Sequence, residues 1–197
     1  MLSTRSRNAE PAARRFFNGA DNCWHVQVTQ GESYVTASGQ EVLTTVLGSC
    51  IAACLRDPQA GVGGMNHFLL AQGRGADQGA MRYGVNAMEL LINGLLARGA
   101  ARDRLEAKLF GGASVIAGLS DVGADNAAFA QRYLKAEGIA VTGGDTGGTQ
   151  PRRVQYWPLT GRARQLSIPT HDASRLIVRE REAAQTDKPE SNDVELF

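Results

Sequence analysis

This chain has few of the residues used for staples, metal cages or membrane anchors. Its three cysteines, Cys23, Cys50 and Cys54, are an odd count. With no export signal in view, structural disulfides are not expected, and free thiols in the cytoplasm are. The pair Cys50-x3-Cys54 has no second cysteine pair or histidine pair to complete the four ligands zinc takes, so no metal site is expected. No stretch approaches the roughly 18 consecutive apolar residues of a membrane span. The Arg-rich opening MLSTRSRNAEPAARRFF lacks the apolar segment of a secretory signal. A charge excess is missing too: 21 basic against 20 acidic side chains give a net charge of +1. That balance excludes the concentrated basic face of a nucleic-acid binder.

What is present suffices for one folded domain. The chain has 197 residues, and a hydrophobic fraction of 43% can fill a core without staples. The composition divides it into a disordered polar lead over 1–22, a domain over 23–180 and a mobile acidic tail over 181–197. Short β-branched or alternating runs predict strands at Trp24–Thr29, Val42–Leu47, Gly63–Leu70, Ala107–Ala113, Ile139–Thr142, Arg153–Trp157 and Arg164–Ile168, and Ile51–Leu55, after the turn at Gly48, reads as strand or helix. Tyr34–Thr36 reads as a resumption of the first of them. Helical spacing of Val85, Met88, Leu91, Ile92, Leu95 and Leu96 predicts a helix over Val85–Arg98, closed by Gly99. A second is predicted over Asn126–Glu137, capped by Asp125 and closed by Gly138. Regular βαβ alternation is missing, so the expected fold class is a layered α/β sandwich of mostly short strands with two main helices.

One stretch, TTVLGSCIAACLRDPQAGVGGMNHFLL from Thr44 to Leu70, carries the chemistry. Two apolar runs each hold one reactive side chain, Cys50 and His67, beside glycines. A thiol becomes a nucleophile when a nearby base takes its proton, and an imidazole on a neighbouring strand supplies one. The turn at Gly48–Ser49 can present the thiol and offer backbone N–H groups to an oxyanion. A third group has to orient the imidazole. Thr44 and Thr45 both lie on the strand leading into the turn, and periodicity does not choose between them. These residues define a candidate cysteine hydrolase of unspecified substrate.

The same residues resemble a known family. Thr45-Val46-Leu47-Gly48-Ser49-Cys50-Ile51-Ala52, with Arg56-Asp57-Pro58, and Gly63-Gly64-Met65-Asn66-His67-Phe68 are similar to blocks of CheD, the chemoreceptor glutamine deamidases. Arg82-Tyr83-Gly84 with Ala87-Met88-Glu89, Lys108 to Ala113, and Gly147-Gly148 before Arg152-Arg153-Val154 fit as well. Together they span roughly residues 31 to 168. A departure is FLLAQ, Phe68 to Gln72, where relatives often have a proline. The resemblance implies catalytic Cys50, a histidine seventeen positions on, His67, and a threonine six positions before, Thr44. It implies a fold similar to the deamidase domain of cytotoxic necrotizing factor toxins. It implies hydrolysis of glutamine side chains on methyl-accepting chemotaxis receptors through a cysteine thioester, with no cofactor. A CheC-type phosphatase is an implied second partner, and an adaptor role without turnover is the alternative. Met65, Phe68 and the Gly111-Gly112 turn are candidates for the rim that meets the receptor.

Overall fold

The computed structural model describes residues 14–70, 77–115 and 122–169. In chain order the elements are β1 (Arg14–Asn18), β2 (Cys23–Gln27), β3 (Ser33–Thr36), β4 (Glu41–Leu47), β5 (Ile51–Asp57), β6 (Val62–Asn66), α1 (Asp77–Leu96), β7 (Glu106–Gly111), α2 (Val122–Ala136), β8 (Ala140–Thr146), β9 (Arg152–Trp157) and β10 (Arg162–Ser167). A single 3-10 turn, Arg102–Arg104, precedes β7. The strands form two mixed sheets of five, ordered β1-β2-β4-β9-β10 and β3-β6-β5-β7-β8. β2 and β4 are parallel in the first sheet, β7 and β8 in the second, and the other pairs are antiparallel.

Strand β5 shows why the layers stack. Its residues alternate between two cores, because successive side chains on a strand point to opposite faces. Ile51, Ala53 and Leu55 join Met88, Leu91, Ile92 and Leu95 of α1 and Phe129, Ala130 and Leu134 of α2. Ala52 and Cys54, with Cys50 just before the strand, join Leu43, Leu47, Val154 and Tyr156 of the first sheet. A strand covered on both faces must be apolar throughout. The order is therefore helices, second sheet, first sheet: the expected α/β sandwich with two main helices.

Both helices begin earlier than their hydrophobic spacing predicts. α1 starts at Asp77 and passes through Gly79 and Gly84, which depress helix propensity and hide the first turns from the sequence pattern. Gly84 is there for contact: a Cβ on it would lie 2.6 Å from Leu70 Cδ2 and 2.7 Å from Phe129 Cε1. α2 starts at Val122, so Asp125 lies in its first turn and is not its cap. The C-terminal ends fall where expected. Ala100 N donates to the Leu95 carbonyl across Gly99, and Ile139 N to the Leu134 carbonyl across Gly138.

The polar lead is shorter than expected. Arg14–Asn18 forms β1, an edge strand on β2 in full antiparallel register from Arg14↔Gln27 to Asn18↔Cys23. Its sequence RRFFN has no alternation to announce a strand, and Phe16 and Phe17 stay half exposed. Tyr34–Thr36 does not resume β2; as β3 it pairs with β6 in the other sheet. Residues 1–13 and the tail expected over 181–197 lie outside the described residues.

Candidate active site

The thiol sits where the chain changes sheets. β4 ends at Leu47 in the first sheet, Gly48 and Ser49 cross the gap, and Cys50 stands immediately before β5 in the second. Three successive carbonyls of this crossing are held. Ala113 N donates to Gly48 O at 2.8 Å and Gly112 N to Cys50 O at 2.8 Å. Asn126 Nδ2 donates to Ser49 O at 3.1 Å while its Oδ1 accepts from Leu70 N at 2.7 Å. Gly111 makes this approach possible. It has φ +106°, and a Cβ on it would lie 2.1 Å from the Cys50 carbonyl oxygen.

The imidazole comes from the end of β6. Ile51 and Phe68 bridge with N–H···O bonds of 2.9 Å in both directions. That register puts His67 diagonally across from Cys50, both on the face turned toward the first sheet. Such diagonal neighbours sit about 7–8 Å apart at Cα, within reach of a long or aromatic side chain. The His67 backbone is fixed by the loop after β2: its N donates to Glu32 O at 3.0 Å, and its carbonyl accepts from Gly31 N at 2.8 Å. The ring is 6% exposed.

Thr45, not Thr44, meets that ring. Thr45 Oγ1 lies 2.9 Å from His67 Nδ1. The reason is strand parity. Thr45 shares the inner face of β4 with Leu43 and Leu47 and opposes Val154, all in the core between the sheets. Thr44 opposes Gln155 on the outer face, and its carbonyl accepts from Val28 N at 2.9 Å. The structure thus brings Cys50 and His67 together but leaves Thr44, the threonine the family spacing picks, on the far side of its own strand.

His67 Nε2 is buried with no hydrogen-bond partner among the described residues. Nδ1 is tied to the Thr45 hydroxyl, so Nε2 is the ring nitrogen left without a partner. Burial pushes the ring's pKa down to about 4, although the Val28 carbonyl and the Glu32 charge act the other way. The histidine is therefore neutral at ordinary pH. It is a neutral ring with an unpartnered nitrogen, diagonal across the strand pair from Cys50.

The other sulfurs do not share this setting. Cys54 is fully buried, and burial pushes its thiol far above the ordinary range, outweighing the nearby Lys108. Met65 and Phe68, the expected rim residues, are wholly buried, Met65 between the sheets and Phe68 edge-on to Phe129 under the helices. Asn126 and Gln30, whose Oε1 accepts from the Cys50 thiol at 3.7 Å, escaped the sequence reading. They reach the turn from 77 and 20 residues away, and no local pattern reports such contacts.

A neutral imidazole with an open nitrogen, held by a hydroxyl beside a cysteine on a fixed turn, is equipment for acyl transfer through sulfur. Comparison with known proteins agrees with that class. Residues 69–166 match the family model described as CheD chemotactic sensory transduction. A Caulobacter sp. (strain K31) protein is 58% identical over 174 residues, covering 87% of this chain and 92% of its own length. An Agrobacterium fabrum protein is 52% identical over 173 residues, covering 87% and 96%. Both carry the name "Probable chemoreceptor glutamine deamidase CheD". The chain belongs to the CheD family. The family-model match begins after His67, but an alignment over 87% of the chain necessarily includes the Cys50–His67 stretch.

Solved structures are more distant. A Neisseria meningitidis protein titled with family model DUF152 has a TM-score of 0.39 and 15% identity, covering 59% of this chain and 53% of its own. The hypothetical protein YfiH of Bacillus licheniformis has a TM-score of 0.40 and 12% identity, covering 60% and 49%. Neither is a toxin of the necrotizing-factor kind.

Proposed function

We propose that this protein hydrolyses glutamine side chains of chemoreceptors to glutamate and ammonia, with Cys50 as nucleophile and His67 as base. The observation that carries the reading is the unpartnered Nε2 of a buried, neutral His67 whose Nδ1 is tied to Thr45, diagonal to Cys50. Because burial favours the neutral ring, the resting pair is thiol and imidazole rather than thiolate and imidazolium. Proton transfer to Nε2 then accompanies attack of Sγ on the carboxamide carbon. The imidazolium gives that proton to the departing ammonia, leaving a thioester. Water, deprotonated by the same nitrogen, hydrolyses the thioester and restores the thiol. Ile51 N–H is committed to the Phe68 carbonyl.

Thr45 takes the orienting role in this mechanism, in place of Thr44. No helix among the described residues is long and apolar enough to cross a membrane. The substrate glutamines in this reading lie on the cytoplasmic part of the receptor, where the chain would work. A CheC-type phosphatase would be a second partner, but a purely binding chain has no use for a desolvated base beside a thiol. Ammonia release from a receptor cytoplasmic fragment, run beside free glutamine, tests the reading. Release from the fragment alone supports a protein deamidase; release from free glutamine alone makes it a small-molecule amidase.

A further inference from the structure

The mouth of the thiol carries two polar groups that the mechanism above does not use. One is Gln30, an exposed residue whose Oε1 accepts from the Cys50 thiol at 3.7 Å. The other is Tyr83 of α1, 40% exposed. Its Oη lies 3.4 Å from where a Cβ on Gly31, the residue after Gln30, would stand. The close packing of Gly84 on Leu70 and Phe129 seats this turn of α1 against the site. Among the described residues the Tyr83 hydroxyl makes no hydrogen bond. By contrast, the hydroxyl of Tyr133 on α2 donates to Glu89 at 2.7 Å.

A primary carboxamide has one oxygen to accept with and an NH2 group to donate with. The residues around the thiol offer the complement, one donor and one acceptor, with the Tyr83 hydroxyl close to the backbone next to Gln30. We infer that Tyr83 and Gln30 form the carboxamide-recognition subsite of Cys50, the Tyr83 hydroxyl donating to the substrate's carbonyl oxygen and Gln30 Oε1 accepting from its NH2. This deepens the deamidase reading and rests on it.

The chemistry follows the reaction through. When the thiol proton passes to His67, Gln30 Oε1 loses its donor and is left to accept from the substrate's N–H. The Tyr83 hydroxyl strengthens its bond as charge builds on the carbonyl oxygen. Burial and the nearby Cys50 charge both push the Tyr83 pKa up, so the phenol stays protonated and remains a donor. After hydrolysis the product's second carboxylate oxygen faces Oε1 with no hydrogen between them. Glutamate is thereby disfavoured in the subsite that holds glutamine, which speeds release and prevents product inhibition.

The test uses receptor fragments carrying glutamine or glutamate at the modified positions, with Cys50→Ala as the non-turning background. This variant should bind the glutamine form about 10-fold more tightly than the glutamate form, the size of one net hydrogen bond. Adding Gln30→Ala should bring that ratio close to one while affinity for the glutamate form is kept, whereas Tyr83→Phe removes a donor to an oxygen that both forms carry and should weaken both. A merely structural role of Gln30 would weaken both forms alike and leave the ratio unchanged. In the active enzyme each change should lower kcat/KM for the fragment by about 10- to 100-fold, with the unfolding temperature unmoved. A ratio unchanged by Gln30→Ala and a kcat/KM unchanged by Tyr83→Phe, in an enzyme that still releases ammonia from the fragment, overturn the subsite and leave the deamidase reading standing. No ammonia from the wild-type enzyme overturns both.

Discussion

The hydroxyl of Thr45, in the first sheet, stands 2.9 Å from Nδ1 of His67, in the second. The contact joins the sheets across the gap in which Cys50 lies, and it leaves Nε2 as the ring nitrogen without a partner. Thr45→Ala should lower kcat by about 10- to 100-fold, a part of what a general base contributes. Thr45→Ser, which keeps the hydroxyl, should recover most of it. Thr44→Ala should stay within about twofold of wild type, since its side chain lies on the outer face of β4. The reverse order in an ammonia-release assay would return the orienting role to Thr44.

The pH dependence follows from the burial of His67. Its pKa is held near 4, below the ordinary 6.5, so the base-competent ring persists down to about pH 5. The acid limb of kcat/KM should therefore fall well below the range of an exposed histidine. Stability carries the same signature. Between pH 4 and 6.5 the unfolded chain binds the proton that the folded ring refuses, so stability falls as pH drops through that window. Urea midpoints of wild type and His67→Gln, compared at pH 7 and pH 5, should show the smaller loss in the variant.

Gly111 is where backbone and chemistry are most tightly bound together. Gly111→Ala puts a methyl against the Cys50 carbonyl at positive φ and should cost at least about 3 kcal/mol. Gly61→Ala is the control: Gly61 also has positive φ, but nothing lies within 4 Å of its Cβ position. It should cost only about 1 kcal/mol. Denaturant unfolding of the two variants separates crowding from backbone strain.

Asn126 ties α2 to the thiol's turn through Ser49 and to the segment after β6 through Leu70. Its side chain is fully buried, and its loss removes the donor to the Ser49 carbonyl and the acceptor for the Leu70 N–H. Asn126→Ala should destabilise by about 1–3 kcal/mol. It should also lower kcat more than KM, because it loosens the crossing that presents Cys50. Unfolding curves and steady-state rates on the receptor fragment check both parts.

Much of this was legible in the sequence because the informative contacts are local or periodic. β4 announces itself by the short β-branched run Val42–Leu47 and α1 by its leucines and methionine at helical spacing, whereas β5, apolar on both faces, reads equally as strand or helix. Cys50 and His67 stand out as reactive groups in apolar runs beside glycine. The choice between Thr44 and Thr45 was not legible. It depends on which face of β4 meets the other sheet, and that is a property of the packing. β1 stayed hidden because its phenylalanines remain half exposed on an edge. The first two turns of α1 stayed hidden because Gly79 and Gly84 lower helix propensity, and of the two Gly84 answers to its packing on Leu70 and Phe129.

The central claim is that Cys50 converts receptor glutamines to glutamates. The most direct measurement is peptide mass spectrometry of a receptor cytoplasmic fragment after incubation with wild type and with Cys50→Ala. A gain of about one mass unit at defined glutamines, from amide hydrolysis through a cysteine acyl-enzyme, is the predicted result for wild type. The variant should leave every glutamine unchanged. The same gain with Cys50→Ala would contradict the account.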